Sequence, residues 1–283
     1  MKIPFRVVLL VLGFVSIARA ALETDVEYGR AGSEILKLDV YVPDGAGPFP
    51  AVILVHGGGW TGGDKSGGSK KGFMAPMHEP LEKAGYAWFS INYRLAPKHP
   101  CPSCIEDVET AIRWVKANAA KYHVDPQRIA LSGESAGGHL VELAAVRATD
   151  ATRVAAVVPF YAPGDLMHGL EPGGKLRPSL AQLFGRETYD ETAQKIMREA
   201  SPLFQMKRGL PPFLLVHGTA DQSVPYQQSL DWQASMRQLG MSCDLITINE
   251  GVHGMISWDS VAPTYKKDVI AWLNRTLPVG TGR

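Results

Sequence analysis

The chain has 283 residues, 45% of them hydrophobic and 20% charged, with a formal net charge of +1. That composition excludes a disordered chain, and a chain of this length buries roughly 75% of its unfolded surface without a metal or disulfides to hold its core. The near-zero charge, with no basic run longer than Lys70-Lys71, speaks against a phosphate-backbone partner, so no nucleic acid is expected.

In chain order, Lys2 and Arg6 come first, followed by an apolar run from Val7 to Ile17 that ends in the small-x-small pattern Ala18-Arg19-Ala20. This predicts a cleaved secretory signal over residues 1–20 and a secreted or periplasmic protein. The apolar run falls well short of the about 20 residues needed to span a bilayer, so no stable membrane partner is expected. The remainder, residues 21–283, reads as one catalytic domain.

From about Ile35 onward strand-like runs alternate with helix-like ones, the mark of an α/β fold with a mostly parallel central sheet and helices on both faces. Residues Ile35 to Val42 alternate by side and predict an antiparallel edge ribbon. Six short apolar runs then predict strands covered on both faces, at 51–55, 86–91, 128–131, 154–160, 213–216 and 243–248. Ser103-Cys104-Ile105-Glu106 has the form of a capping box, and Ile105, Val108, Ile112, Val115 and Ala119 continue it at helical spacing. Helices are also expected over 136–147, 226–239 and 263–273. Between Ala162 and Pro212 about fifty residues run without a clear strand, helix-like only near 191–198. A segment of that length inside a compact domain usually covers a site, and 162–212 is read as a small cap-like insertion.

Of the three cysteines, Cys101 and Cys104 flank Pro102-Ser103. In an exported chain the pair suits a local disulfide, leaving Cys243 a buried thiol on a strand. A redox pair would leave Ser135 unexplained, and His99 alone does not complete a zinc site, so no metal is expected.

Gly133-Glu134-Ser135-Ala136-Gly137 lies where the 128–131 strand runs into a helix. A serine on such a sharp turn needs small neighbours so that the turns can approach, and it needs a base to take its proton and a carboxylate to orient the base. Both should follow Ser135, just past later strand ends. Asp221, in the loop after the 213–216 strand, is the candidate acid, with Asp165 its rival. His253, between Gly251 and Gly254 and before the last helix, is the candidate base. The other histidines fit less well: His217 lies too near Asp221 in sequence for both to face the serine. His139 sits on the helix after it, and His123 and His168 have no strand end beside them. Val55-His56-Gly57-Gly58-Gly59-Trp60 follows a strand and offers glycine N–H groups which, with the N–H of Ala136, would hold an oxyanion.

His56-Gly57-Gly58-Gly59-Trp60, Asn92-Tyr93-Arg94-Leu95-Ala96-Pro97, Gly133-Glu134-Ser135-Ala136-Gly137-Gly138, Asp221 and His253 together resemble the hormone-sensitive-lipase-like esterases and their relatives among bacterial feruloyl and acetyl esterases, on the α/β-hydrolase fold. The resemblance implies a triad of Ser135, Asp221 and His253 and an oxyanion hole of Gly58, Gly59 and Ala136. Where many relatives have aspartate beside the serine, this chain has Glu134. The resemblance also implies a small-molecule or polysaccharide-linked ester as substrate, with no cofactor. Amide hydrolysis, as in arylformamidases and prolyl-peptidase-like enzymes, uses the same turn and triad and stands as a second reading. A non-catalytic module on this fold is the third, although it would be expected to lack a triad member.

Overall fold

The computed structural model describes residues 20–66, 74–168, 170–171 and 174–277, so the expected signal segment, Ala20 apart, lies outside the described residues. In chain order the elements are β1 (Ala21–Ala31), β2 (Glu34–Val42), β3 (Phe49–Val55), α1 (Ala75–Lys83), β4 (Ala87–Ile91), α2 (Ser103–Ala117), β5 (Val124–Glu134), α3 (Ala136–Val146) and β6 (Ala156–Phe160). There follow β7 (Leu170–Glu171), β8 (Lys175–Leu176), α4 (Pro178–Phe184), α5 (Glu191–Ala200), β9 (Phe213–Gly218), α6 (Gln227–Gln238), β10 (Cys243–Ile248), α7 (Trp258–Val261) and α8 (Tyr265–Thr276).

Eight strands form one sheet in the order β1-β2-β4-β3-β5-β6-β9-β10. β2 runs antiparallel to β1 and β4, and the other neighbours are parallel. Because successive strand side chains point to opposite faces, β3 divides its residues between two cores. Ala51, Ile53 and Val55 join Val108 and Ile112 of α2 and Leu140 of α3 on one face. Val52 and Leu54 join Met77 and Leu81 of α1 and Val269 and Trp272 of α8 on the other. Each such fully buried aliphatic side chain contributes roughly 2 kcal/mol of burial free energy.

The six predicted strands are all present, and the sheet has one strand more than expected, but β10 is not covered on both faces: it is an edge strand and exposes Asp244 and Thr247. β1 escapes a pattern reading because its sequence ALETDVEYGRA is mostly exposed, with Tyr28 its one buried side chain. Helix α1 is hidden by its prolines, one of them inside the helix at Pro80. The expected capping box does not form: α2 already begins at Ser103, the residue before it is Pro102, and no side chain caps the end. Cys101 and Cys104 are unbridged, and Cys243 is a buried thiol at the start of β10, as expected. The 162–212 segment holds the β7–β8 ribbon, α4 and α5, more regular structure than its sequence suggested. α5 is the helix expected near 191–198; the two-residue strands and the seven-residue α4 were too short to register as pattern.

Parallel strands place their carboxyl ends along one edge, where binding loops of open α/β sheets gather. Here the loops leaving β3, β5, β6, β9 and β10 carry His56 to Trp60, Ser135, Tyr161, Asp221 and His253. One of the tightest backbone contacts behind that edge is at Gly137, in the first turn of α3. A side-chain carbon there would lie 2.1 Å from the Val55 carbonyl oxygen and 2.5 Å from that of His56. Gly137→Ala should therefore force α3 and β3 apart and destabilise the protein by about 3 kcal/mol in urea unfolding, with loss of activity. A variant as stable and active as the parent would contradict this account of the contact.

Candidate active site

Ser135 occupies a one-residue turn between β5 and α3, with φ 52° and ψ −118°. A non-glycine residue in this region carries of order 1–3 kcal/mol of backbone strain, which the surroundings must hold in place. Two hydrogen bonds do so. The Ser135 N–H donates to Phe160 O at 2.9 Å, and its carbonyl accepts the His139 N–H at 2.9 Å.

The three residues expected to act together meet at this turn. His253 Nε2 lies 2.9 Å from Ser135 Oγ, and His253 Nδ1 lies 2.7 Å from Asp221 Oδ2. An ionised carboxylate can only accept, so the Nδ1 carries the proton and the free Nε2 faces the serine hydroxyl. Asp221 is fixed in turn by the N–H groups of Ser223 and Val224, at 2.8 and 2.9 Å from Oδ1. Burial alone would raise its pKa, but hydrogen bonds from His217, His253 and the Val224 N–H outweigh it and hold the carboxyl well below the usual range. Asp221 therefore stays charged beside the imidazole.

The rivals serve elsewhere. His217 is fully buried at the end of β9. Its Nε2–H points at Val224 O (3.0 Å) and Asp221 Oδ2 (3.4 Å), and its Nδ1 accepts from Ser229 Oγ at 2.7 Å. It holds the acid from behind. His139 accepts from Trp60 Nε1 at 3.2 Å and donates to Ala200 O at 2.8 Å, joining the glycine loop to the end of α5. Burial lowers its pKa to about 4, so it is a neutral bridge. Asp165 lies in the same cleft as Ser135, but its carboxylate accepts the Met167 N–H and pairs with His168.

The glycine loop is set by its own backbone and by a floor of buried polar groups. Gly58 has φ 98°, and a side chain there would strike the Gly62 carbonyl oxygen at 2.4 Å. The N–H groups of Gly58, Gly59 and Ala136 have no hydrogen-bond partner among the described residues, and all three residues line the space around Ser135. Below them Tyr93 stacks on His56, ring centroids 4.4 Å apart, and donates its hydroxyl to His56 O at 3.0 Å. The Asn-Tyr-Arg-Leu-Ala-Pro segment is held in turn by Arg94, whose Nε and Nη2 both bond the buried Asp107 at 2.8 to 3.0 Å. The Ala96 N–H reaches Trp60 O at 2.9 Å. One motif thus carries the other.

Glu134 is the buried residue that ties these parts together. It accepts the Gly57 N–H in the glycine loop and a hydrogen bond from Tyr161, and Tyr161 packs edge-on against the His253 ring at 4.7 Å. Burial pushes its pKa up to about 7, against the lowering effect of Gly57, His253 and Tyr161. Sequence reading missed Tyr161, whose only signal was its place directly after a strand end on the loop-bearing edge. It also missed the supporting roles of Tyr93 and His139.

Ser135 sits between two spaces that share Gly59 and His253. One is a cleft of about 400 Å³ with Asp165, Arg177, Ser179 and Gln228 on its walls beside Trp60 and Leu180. The other, about 290 Å³, is walled by Tyr161, Met255, Ile256 and Pro76, with Glu134 at its base. Among the described residues no group of three or more His, Cys, Asp and Glu is arranged to hold a metal ion. A serine, a base, an acid and three free N–H groups in this arrangement can carry acyl transfer.

The raised pKa of Glu134 has a consequence for stability. Between its ordinary value near 4.5 and about 7, the folded protein binds a proton that the unfolded chain releases, so stability falls as pH rises across that window. The expected loss is of the order of 3 kcal/mol. Urea unfolding of Glu134→Gln should lack this decline between pH 4.5 and 7, whereas parallel profiles for parent and variant would contradict it.

The BD-FAE family profile matches residues 38–236. LipM of Mycobacterium tuberculosis, a probable carboxylic ester hydrolase, is 34% identical over 229 residues, covering 75% of this chain and 50% of LipM. The chain thus spans about half the length of the curated relatives it matches. Among solved structures, the truncated form of a carbohydrate esterase from gut microbiota is 28% identical with a TM-score of 0.77, covering 93% of this chain and 98% of that one. An esterase of Thermogutta terrifontis is 26% identical with a TM-score of 0.73, covering 93% of this chain and 94% of its own. With its eight-stranded sheet, strand-to-helix turn and glycine loop, the chain belongs to the BD-FAE family and has the α/β-hydrolase fold.

Proposed function

We propose that this protein is an exported serine esterase that hydrolyses carboxylic esters through an acyl-enzyme on Ser135. The observation that carries this reading is the hydrogen-bonded series Ser135, His253, Asp221 set beside three N–H groups with no partner among the described residues. Ser135 Oγ attacks the ester carbonyl carbon while its proton passes to His253 Nε2. The carbonyl oxygen becomes an oxyanion and accepts from Gly58, Gly59 and Ala136, each such donor being worth roughly 3 to 4 kcal/mol of barrier. His253 then gives its proton to the alcohol oxygen, the C–O bond breaks and the alcohol leaves. Water attacks the acyl-enzyme with His253 again taking a proton, and return of that proton to Ser135 Oγ releases the acid. Asp221 holds the imidazole in the required tautomer and stabilises it when charged.

For the substrate we read short acyl or feruloyl esters of plant polysaccharide, or small molecules of the same kind. The family, the likeness to a carbohydrate esterase and the polar walls of the larger cleft support it. Both spaces are of a size for short acyl and aryl groups. Export rests on the N-terminal pattern alone, and an N-terminus after Ala20 in protein recovered from the medium or periplasm would test it.

Hydrolysis of p-nitrophenyl acetate and ferulate should fall by roughly 10⁴-fold or more in Ser135→Ala, and a fluorophosphonate should label the parent at Ser135. Equal rates in parent and variant would remove the proposal. Release of amine from N-formylkynurenine faster than any ester is cleaved would favour amide hydrolysis.

A further inference from the structure

The two spaces beside Ser135 differ in charge, and the difference rests on Arg177. Its side chain is half-buried in the wall of the larger cleft, just before α4. Among the described residues it makes one hydrogen bond, Nη1–H to Ser223 O at 3.3 Å, and has no carboxylate partner. A guanidinium carries five N–H donors in a planar fork, so most of this one has no acceptor among the described residues. Two other polar side chains of the cleft, Asp165 and Gln228, are already engaged. Asp165 accepts the Met167 N–H at 2.8 Å and lies 3.4 Å from His168 Nε2. The Gln228 amide bonds the Asp165 backbone N–H and carbonyl at 2.8 and 2.9 Å. Among the described residues the smaller space carries no lysine or arginine, only the buried carboxyl of Glu134, whose burial favours the protonated form, and mainly apolar side chains around it.

We propose that Arg177 makes the larger cleft a binding site for a carboxylate on the substrate, so that the preferred esters are those carrying an acid group on the half that occupies this cleft. The inference rests on the serine-esterase reading and deepens it. A planar carboxylate matches the guanidinium fork with two parallel hydrogen bonds, a geometry that lysine does not offer. Tethering to Ser223, two residues beyond Asp221, holds the fork on the cleft wall that also carries the loop of the acid. The mostly apolar walls of the smaller space offer the same carboxylate no cationic side chain among the described residues, so the charge also orients the ester. An acid on the alcohol half and an acid on the acyl half present the same chemistry to Arg177, and the test separates them.

The experiment compares kcat/KM for matched pairs in the full chain, in parent, Arg177→Gln and Arg177→Lys. 4-Acetoxybenzoate against 4-acetoxybenzamide places the charge on the alcohol side; monoethyl adipate against ethyl adipamate places it on the acyl side. In one of the two pairs the carboxylate-to-amide ratio of the parent should exceed that of Arg177→Gln by roughly tenfold or more. Arg177→Lys should keep part of the excess, and added salt should reduce it. Because each ratio is internal to one protein, a partly misfolded variant does not alter it. Ratios equal within about twofold in parent and Arg177→Gln for both pairs would overturn the inference. Failure of the underlying reading looks different: the parent would then cleave none of the four esters, and the inference would fall with it.

Discussion

The backbone of Ser135 is held at φ 52° because β5 passes into α3 with no residue to spare, while the first turn of α3 presses on the end of β3. The carbonyl oxygens of Val55 and His56 fill the place where Gly137 would otherwise carry a side chain. One contact therefore does two things. It forces the serine out at the crest of the turn, and it fixes how far that serine lies from the glycine loop that begins at His56. The proposed nucleophile and the glycine donors follow strands adjacent in the sheet, and their spacing is a packing distance of the core.

Around that contact the site is held by buried polar groups that satisfy one another. Tyr93 supports the carbonyls of His56 and Gly57, and Asp107 holds Arg94 in the same segment. Glu134 reaches the glycine loop on one side and Tyr161 on the other, and His139 joins Trp60 to the α5 end. Leaving one such group unpaired costs roughly 1–3 kcal/mol, so the network has few low-energy alternatives to its observed arrangement. This is how a set of loops acquires the rigidity that preorganised donors require.

Much of this was legible in the sequence because it depends on short-range pattern. Continuous apolar runs marked β3, β4, β6 and β9, since a strand buried on both faces has no polar side, whereas β10 lies at the edge with Asp244 and Thr247 exposed. Ser135, Asp221 and His253 could be chosen because each had to follow a strand in a given order, and their side chains do meet. What escaped was set by distant parts of the chain. β1 has little apolar signal because it lies at the open edge and packs through one tyrosine. The serine in the expected capping box was drawn into the helix, a matter of one residue that pattern cannot decide. Tyr161 and Glu134 act through each other and through Gly57, more than seventy residues away from Glu134 along the chain. No local spacing records such a meeting.

The two spaces that flank Ser135 share Gly59 and His253, and this bears on the order of events in a turnover. In the proposed reaction, an acyl group bound to Ser135 and seated in one space would leave the other empty once the alcohol departs. The next acceptor would enter through that vacancy, beside the same Nε2 that released the alcohol. Water and any second alcohol then compete for one imidazole, so hydrolysis and acyl exchange become branches of a single intermediate. How the acyl-enzyme partitions between them is decided by what the vacated walls hold best.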